Sequence, residues 1–231
     1  MPQATAVHRA LDGASYLLRG DFELDRPATS VADVVVGDRM QEFTSGIASL
    51  ADDIAASLGL AGFDEEFSFH GGTLRTAVKR EYTAQNHLVE ETLLVTWTGQ
   101  NHSLVTRMYH ATVSDAIGLL RTLGVDEQDD GLYFTPDDSV GLAGPATVIK
   151  EVPRLGLLEM ARPGSEQAAQ LPPWKGVPVT AGELYRDTLA NGQPFFVLSA
   201  QEVWATLVPL ADTDVDAVPT LVDGLNITMA P

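Results

Sequence analysis

The chain has 231 residues, 45% of them hydrophobic, enough to bury a core in one large domain or in a domain with a small companion. Its 14 lysines and arginines face 32 aspartates and glutamates, a formal charge of −18, and the resulting field disfavours direct nucleic-acid binding and anionic membrane surfaces. There is no cysteine, which excludes disulfides, thiolate catalysis and cysteine-type zinc sites.

The first residues show no basic start followed by an apolar run, so no signal peptide is expected. No stretch is long and apolar enough to span a bilayer, and the expected location is cytoplasmic or within a particle. Residues 15–22 and 34–36 read as strands, with a turn at Arg26-Pro27. Residues 44–58 predict a helix: Ile47, Leu50, Ala51, Ile54, Ala55 and Leu58 recur at helical spacing, and Gly59 supplies a stop. Phe67 and Phe69 alternate into Gly71-Gly72, a hairpin signal, with residues 73–83 as the return strand.

Residues 88–98 and 101–113 form the strongest hairpin pattern. With Gly99-Gln100 as its loop, Trp97 opposes His102, Val95 opposes Leu104 and Glu90 opposes Tyr109. Ser114 can cap a second helix that runs to Leu123, where Gly124 stops it. Residues 146–152 and 155–161 read as strands broken at Pro153.

Prolines and glycines between 163 and 179 predict a linker or arm. Thr180-Ala181-Gly182-Glu183 and Ser199-Ala200-Gln201-Glu202 match capping boxes, predicting helices over 180–190 and 199–210 around a short strand at 195–198. The expected organisation is therefore a main domain over 1–162, an arm over 163–179, and a small helix-strand-helix module over 180–231. The expected fold class is α+β: an antiparallel sheet of about four to six strands packed by helices on one face, with a small mixed C-terminal module.

Glycine-rich phosphate loops, a nucleophile elbow and a zincin helix motif are all missing from the sequence. The five histidines, His8, His70, His87, His102 and His110, form no close helical pair. Arg75, Lys79, Arg80 and Arg107 make a basic island in an acidic chain. Arg75, Trp97, His102 and Arg107 are the candidate ligand-binding residues, since guanidiniums, an indole and an imidazole on one sheet could hold an anionic group. Ordinary cross-strand pairing of the arginines with Glu81, Glu90 and Glu91 competes with that reading.

Asp212, Asp214, Asp216 and Asp223 fall at spacings that resemble the ligand positions of a calcium loop. The pattern departs where a sharp turn needs glycine, because Ala217 stands there. Ca2+ is the one cofactor the sequence suggests, at these four aspartates.

The composition and the missing catalytic motifs favour a non-enzymatic structural or interaction protein. Such a protein would be a subunit of a larger assembly, for example a virion-like particle, with a protein partner or further copies of itself. One alternative is an acidic partner-binding protein, such as an immunity protein or export chaperone, whose charge meets a basic partner; salt-sensitive binding would distinguish it. The other is a small-molecule-binding protein or enzyme with a pocket on the sheet near Trp97, His102 and Arg107.

Overall fold

The computed structural model describes residues 3–164, 167, 171–211 and 213–230. The strands in chain order begin with β1 (Ala4–Arg9), β2 (Ser15–Gly20), β3 (Ala28–Val36), β4 (Arg39–Ile47), β5 (Glu65–Phe69), β6 (Gly72–Tyr82), β7 (Leu88–Thr98), β8 (His102–Tyr109) and β9 (Val125–Gln128). They continue with β10 (Gly131–Phe134), β11 (Val140–Leu142), β12 (Thr147–Val152), β13 (Gly156–Ala161), β14 (Val177–Val179), β15 (Gly182–Thr188), β16 (Pro194–Ser199), β17 (Trp204–Val208) and β18 (Leu225–Met229). The helices are α1 (Leu50–Ser57), α2 (Val113–Leu123) and α3 (Val218–Asp223).

The chain divides into two units. One takes the described parts of Met1–Ala10, Ala14–Thr29 and Pro145–Pro231; the other takes Leu11–Gly13 and Ser30–Gly144. In the first unit, β14-β15-β16-β17-β13-β12 form one antiparallel run and β1-β2-β18 a second small sheet. Its core gathers the inward residues Val148, Leu158, Met160, Phe196, Leu198, Ala205 and Leu207. Lys150 sits on the same buried face of β12, 1% exposed, with Nζ donating to the Arg26 carbonyl. Burial pushes its pKa down, and the nearby charge of Asp25 only partly offsets that.

In the second unit the strand order is β11-β3-β4-β8-β7-β6-β5, all antiparallel, with the β9–β10 hairpin beside it. One face carries Leu94 and Val105, and α1 lays Ala51 and Ala55 against them. The opposite face carries Phe43, whose ring meets Phe134 of β10 edge-on at 5.3 Å. The α2 helix buries Ala116, Leu119, Leu120 and Leu123.

The molecule is therefore mostly β, and the expected α+β sheet of four to six strands with helices on one face is wrong. Two local misreadings lie behind that expectation, and a third concerns the register of a hairpin. First, Thr44–Ile47 is strand, because it pairs with Val105–His102 of β8; the helix starts only at Leu50, after Ser49. The apolar spacing was real from Leu50 onward, but Ile47 is 46% exposed and belongs to no helical stripe.

Second, the two C-terminal helices are strands. Glu183–Thr188 pairs with Pro194–Ser199 in β16, and Asn191-Gly192 is the hairpin turn between them, with Gly192 at φ +85°. An Asn-Gly pair between apolar runs is a hairpin signal, and cross-strand burial of Leu184 and Tyr185 outweighs a four-residue capping pattern. Trp204–Val208 likewise pairs with both β16 and β13.

Third, the β7–β8 pairing is offset by two residues. Trp97 faces Leu104, Val95 faces Thr106 and Thr92 faces Tyr109, so residues 99–102 make the turn, closed by Gly99 N–H to the His102 carbonyl at 2.9 Å. A two-residue shift preserves which face each side chain occupies. The β5–β6 turn is His70-Gly71, one residue before the expected pair, with both residues at positive φ (46° and 76°) as a type I′ turn requires.

Candidate interaction site

The structure does not bring the four candidate ligand-binding residues together. Arg75 lies on the α1 face of β6, where its guanidinium bonds Asp52 at 2.8 Å and stacks 4.0 Å from the centre of the Phe63 ring. Trp97 lies on the other face, buried, with its indole N–H given to the Phe69 carbonyl at 2.8 Å. Both side chains are thus engaged in holding the sheet.

His102 shares the Trp97 face and belongs to a clasp. The Glu127 carboxylate accepts backbone N–H bonds from Gln100 (2.7 Å), Asn101 (2.8 Å) and His102 (2.9 Å), and its Oε1 lies 3.1 Å from His102 Nδ1. Successive N–H groups of the 99–102 turn form a concave nest, and Glu127 fills it as an internal anion. Burial alone would raise the pKa of this carboxyl, but the three backbone bonds and the imidazole bond together lower it below the usual glutamate range.

Arg107 lines a cavity. The basic island is otherwise satisfied locally: Lys79 donates to the Leu58 carbonyl and Arg80 pairs with Glu91 at 2.6 Å.

The aspartates suggested for Ca2+ go separate ways. Asp212 lies outside the described residues. Asp214 accepts from the N–H of Asp216 at 3.1 Å, and the Asp216 carboxylate faces Arg186 at 3.4 Å. Asp223 accepts from the N–H and hydroxyl of Thr180 at 2.7 and 2.9 Å, and these bonds hold its pKa below the usual carboxylate value. Among the described residues, no group of three or more histidine, aspartate or glutamate side chains gathers in a metal-holding arrangement.

A different feature of the second unit is built for contact. The β4–β8 ladder runs from Ile47/His102 to Phe43/Thr106 and stops there. On their outer flanks both strands continue: β4 stays paired with β3 to Arg39, and β8 stays paired with β7 to Tyr109. The sheet therefore forks between Arg39–Glu42 and Arg107–Tyr109. Side chains bridge the base of the fork. The Gln41 amide donates to Thr106 Oγ1 (2.5 Å) and to the Arg107 carbonyl (3.0 Å), and the Thr106 hydroxyl donates to the Glu42 carbonyl (2.6 Å).

A concavity opens on each side of the fork. One, of about 480 Å³, lies toward α1 and is bounded by Met40, Glu42, Ile54, Leu58, Arg107 and Tyr109. The other, of about 960 Å³, lies toward α2 and is bounded by Arg39, Met108, His110, Leu119, Thr122 and Val140. Met40, Gln41 and Tyr109 belong to both. Met40 is 66% exposed and Tyr109 is 51% exposed, so an apolar lip stands in solvent where the two concavities meet.

The polar groups around these concavities are mostly committed elsewhere. Asp115 closes the α2 capping box with Thr112, and that hydroxyl and N–H hold its pKa low. Ser139 is bonded to Asp137.

Sequence reasoning missed Met40, Gln41, Met108 and Tyr109 because residues 44–58 were read as one helix, which hid β4. The Gly37-Asp38 turn was the available signal. Gly37 has φ +62° and sits in the first position of a two-residue hairpin loop, between Val36 and Arg39. Comparison with protein-family models, with curated proteins and with solved structures finds no match. Among the described residues, no helix is long and apolar enough to cross a membrane.

Proposed function

We propose that this is a non-enzymatic interaction protein, a component of a larger assembly, which grips a protein partner at the forked end of the β4–β8 pair. The observation that carries this reading is the exposed Met40–Tyr109 lip shared by two adjoining concavities. Methionine and tyrosine offer adaptable and amphipathic contact area, and both are enriched at protein interfaces. Thr112 and Asp115 nearby are occupied in a helix cap and Ser139 and Asp137 in a turn, which suits a surface for holding rather than for chemistry.

Native mass spectrometry of the protein isolated from its own source tests this. The expected spectrum shows the chain retained with another protein or with further copies, and the Met40→Asp, Tyr109→Ser double variant loses that species while keeping its melting temperature. A lone mass near 24.7 kDa for the unaltered protein sinks the proposal.

A second reading has one observation in its favour. The α2-side concavity, at about 960 Å³, lies at the upper end of the range for small-molecule sites, and Met108, Leu119 and Val140 give it an apolar wall beside polar groups such as Arg39 and His110. A small, stoichiometric mass adduct in the same spectrum would select it.

A further inference from the structure

The fork also indicates the form of its occupant. In an antiparallel ladder each residue points its backbone N–H and C=O to one flank, and residues two apart share a flank. The Ala48 N–H donates to the Asn101 carbonyl at 2.9 Å, so the even residues of β4 and the odd residues of β8 turn toward each other. The His110 N–H donates toward the Glu91 carbonyl of β7, which gives the even residues of β8 to the other flank.

Past Phe43/Thr106, the same alternation aims the Glu42 N–H and the N–H and C=O of Met40 and Tyr109 into the fork. A continued ladder would give the Arg107 carbonyl to Glu42 N–H; the Gln41 side chain takes it instead. The fork thus presents two facing strand edges, already supported on their outer flanks by β3 and β7.

Resting on the function proposed above, we infer that the fork accepts an extended segment of a partner polypeptide, which adds to the sheet by pairing with Met40 on one side and Tyr109 on the other. Main-chain pairing supplies the affinity in this mode, and the side chains flanking the edge set the preference. Here the flanks are apolar at Met40, Met108 and Tyr109. They are cationic at Arg39 on the α2 side and at Arg107 on the α1 side.

Among the described residues, neither arginine takes part in an ion pair. Asp115 acts on Arg39 only at longer range and is tied to Thr112. Two uncommitted guanidiniums in a chain of charge −18 favour carboxylates locally, because the distant acidic charge is screened beyond about 8 Å at physiological salt. The segment is therefore an extended stretch of apolar residues with an acidic side chain on each face of the strand.

A displayed library of random seven-residue peptides, panned on the full chain, tests this, followed by synthesis of the enriched sequences. The expected peptides are apolar and acidic. Methylating either alternate set of backbone nitrogens in the paired stretch weakens binding by at least about tenfold, since a segment held between two edges turns one set toward Met40 and the other toward Tyr109. Bound peptide slows hydrogen exchange at Met40, Glu42 and Tyr109.

Met40→Pro removes an N–H that points into the fork and no β3–β4 bond, so it abolishes binding while Met40→Ala only weakens it. If Met40→Pro fails to fold, the exchange pattern and the methyl scan on the unaltered protein still decide.

No enriched peptide, a methyl scan in which either alternate set leaves binding unimpaired, or equal effects of Pro and Ala at 40 would overturn strand addition at both edges. If a partner is nevertheless retained through Met40 and Tyr109 in the native spectrum, side-chain docking stands and only strand entry falls. Enrichment of segments from this chain itself would identify the occupant as a second copy.

Discussion

Substituting Glu127 should loosen the end of the β7–β8 hairpin, and the size of the effect follows from its four bonds. A hydrogen bond to a charged group is worth about 1.5–3 kcal/mol net. The four are not additive here, because Gln100 and Asn101 are exposed and their N–H groups return to water once the carboxylate is gone. The side chain of Glu127 itself keeps 17% of its surface exposed. After that discount, Glu127→Ala costs about 2–3 kcal/mol, and Glu127→Gln, which keeps one carbonyl acceptor, about half of it.

The pH dependence is the sharper test. The folded state lowers the pKa of Glu127, so below the usual glutamate value the unfolded chain binds the proton more readily than the folded one. The contribution is therefore complete above the usual value and is lost as pH falls through the depressed folded value. Urea denaturation of the wild type and of E127Q should differ at neutral pH and converge in acid, where a protonated glutamic acid resembles the glutamine. Equal midpoints at neutral pH, or a gap that holds or widens on acidification, would refute the clasp.

Two further outcomes follow. Lys150→Met should raise stability by about 1 kcal/mol, because it replaces a charge buried in the first unit's core with an apolar chain of similar length. The wild type should also gain stability with rising pH between the lowered lysine pKa and the usual one, where the unfolded chain holds more protons, and the variant should lack that slope in a urea series. His70→Asn should stabilise by about 0.5 kcal/mol, since the turn requires positive φ at that position and asparagine tolerates it better; a lower melting temperature for the variant would contradict the turn assignment.

Local hairpins were readable in the sequence wherever turn residues and alternation agreed. Ser15 to Gly20, Phe67 to Phe69, residues 88–98 and the pair at 147–152 and 156–161 are strands as the pattern implies, and the strand expected over 101–113 runs only from His102 to Tyr109, since α2 takes over at Val113. Failure came where a four-residue motif competed with tertiary pairing. Thr180-Ala181-Gly182-Glu183 satisfies a capping pattern, yet the partners that decide its structure lie across a turn in β16.

The candidate site was less legible for a physical reason. A fork between strands is defined by where a ladder stops, and no residue type marks that point. Arg107 was noticed for its charge; Gln41, which bridges the fork, has an unremarkable side chain whose role depends on the Arg107 carbonyl, 66 residues away in the chain. His102 and Trp97 were singled out as ligand-facing for the same polar tips that Glu127 and the Phe69 carbonyl bind internally.

The pairing of β18 with β2 sets a timetable for synthesis. Within residues 30–144 the hairpins β3–β4, β5–β6, β6–β7, β7–β8 and β9–β10 are local and the longest wait, from β3 to β11, ends at Leu142, while β2 must wait for Leu225–Met229 before its second edge is covered. Until then an apolar strand carrying Tyr16 and Leu18, both fully buried at the end, waits with one edge open. A ribosome stalled late on this message would thus display one folded unit and one adhesive edge, and that interval is when the growing chain most needs a chaperone.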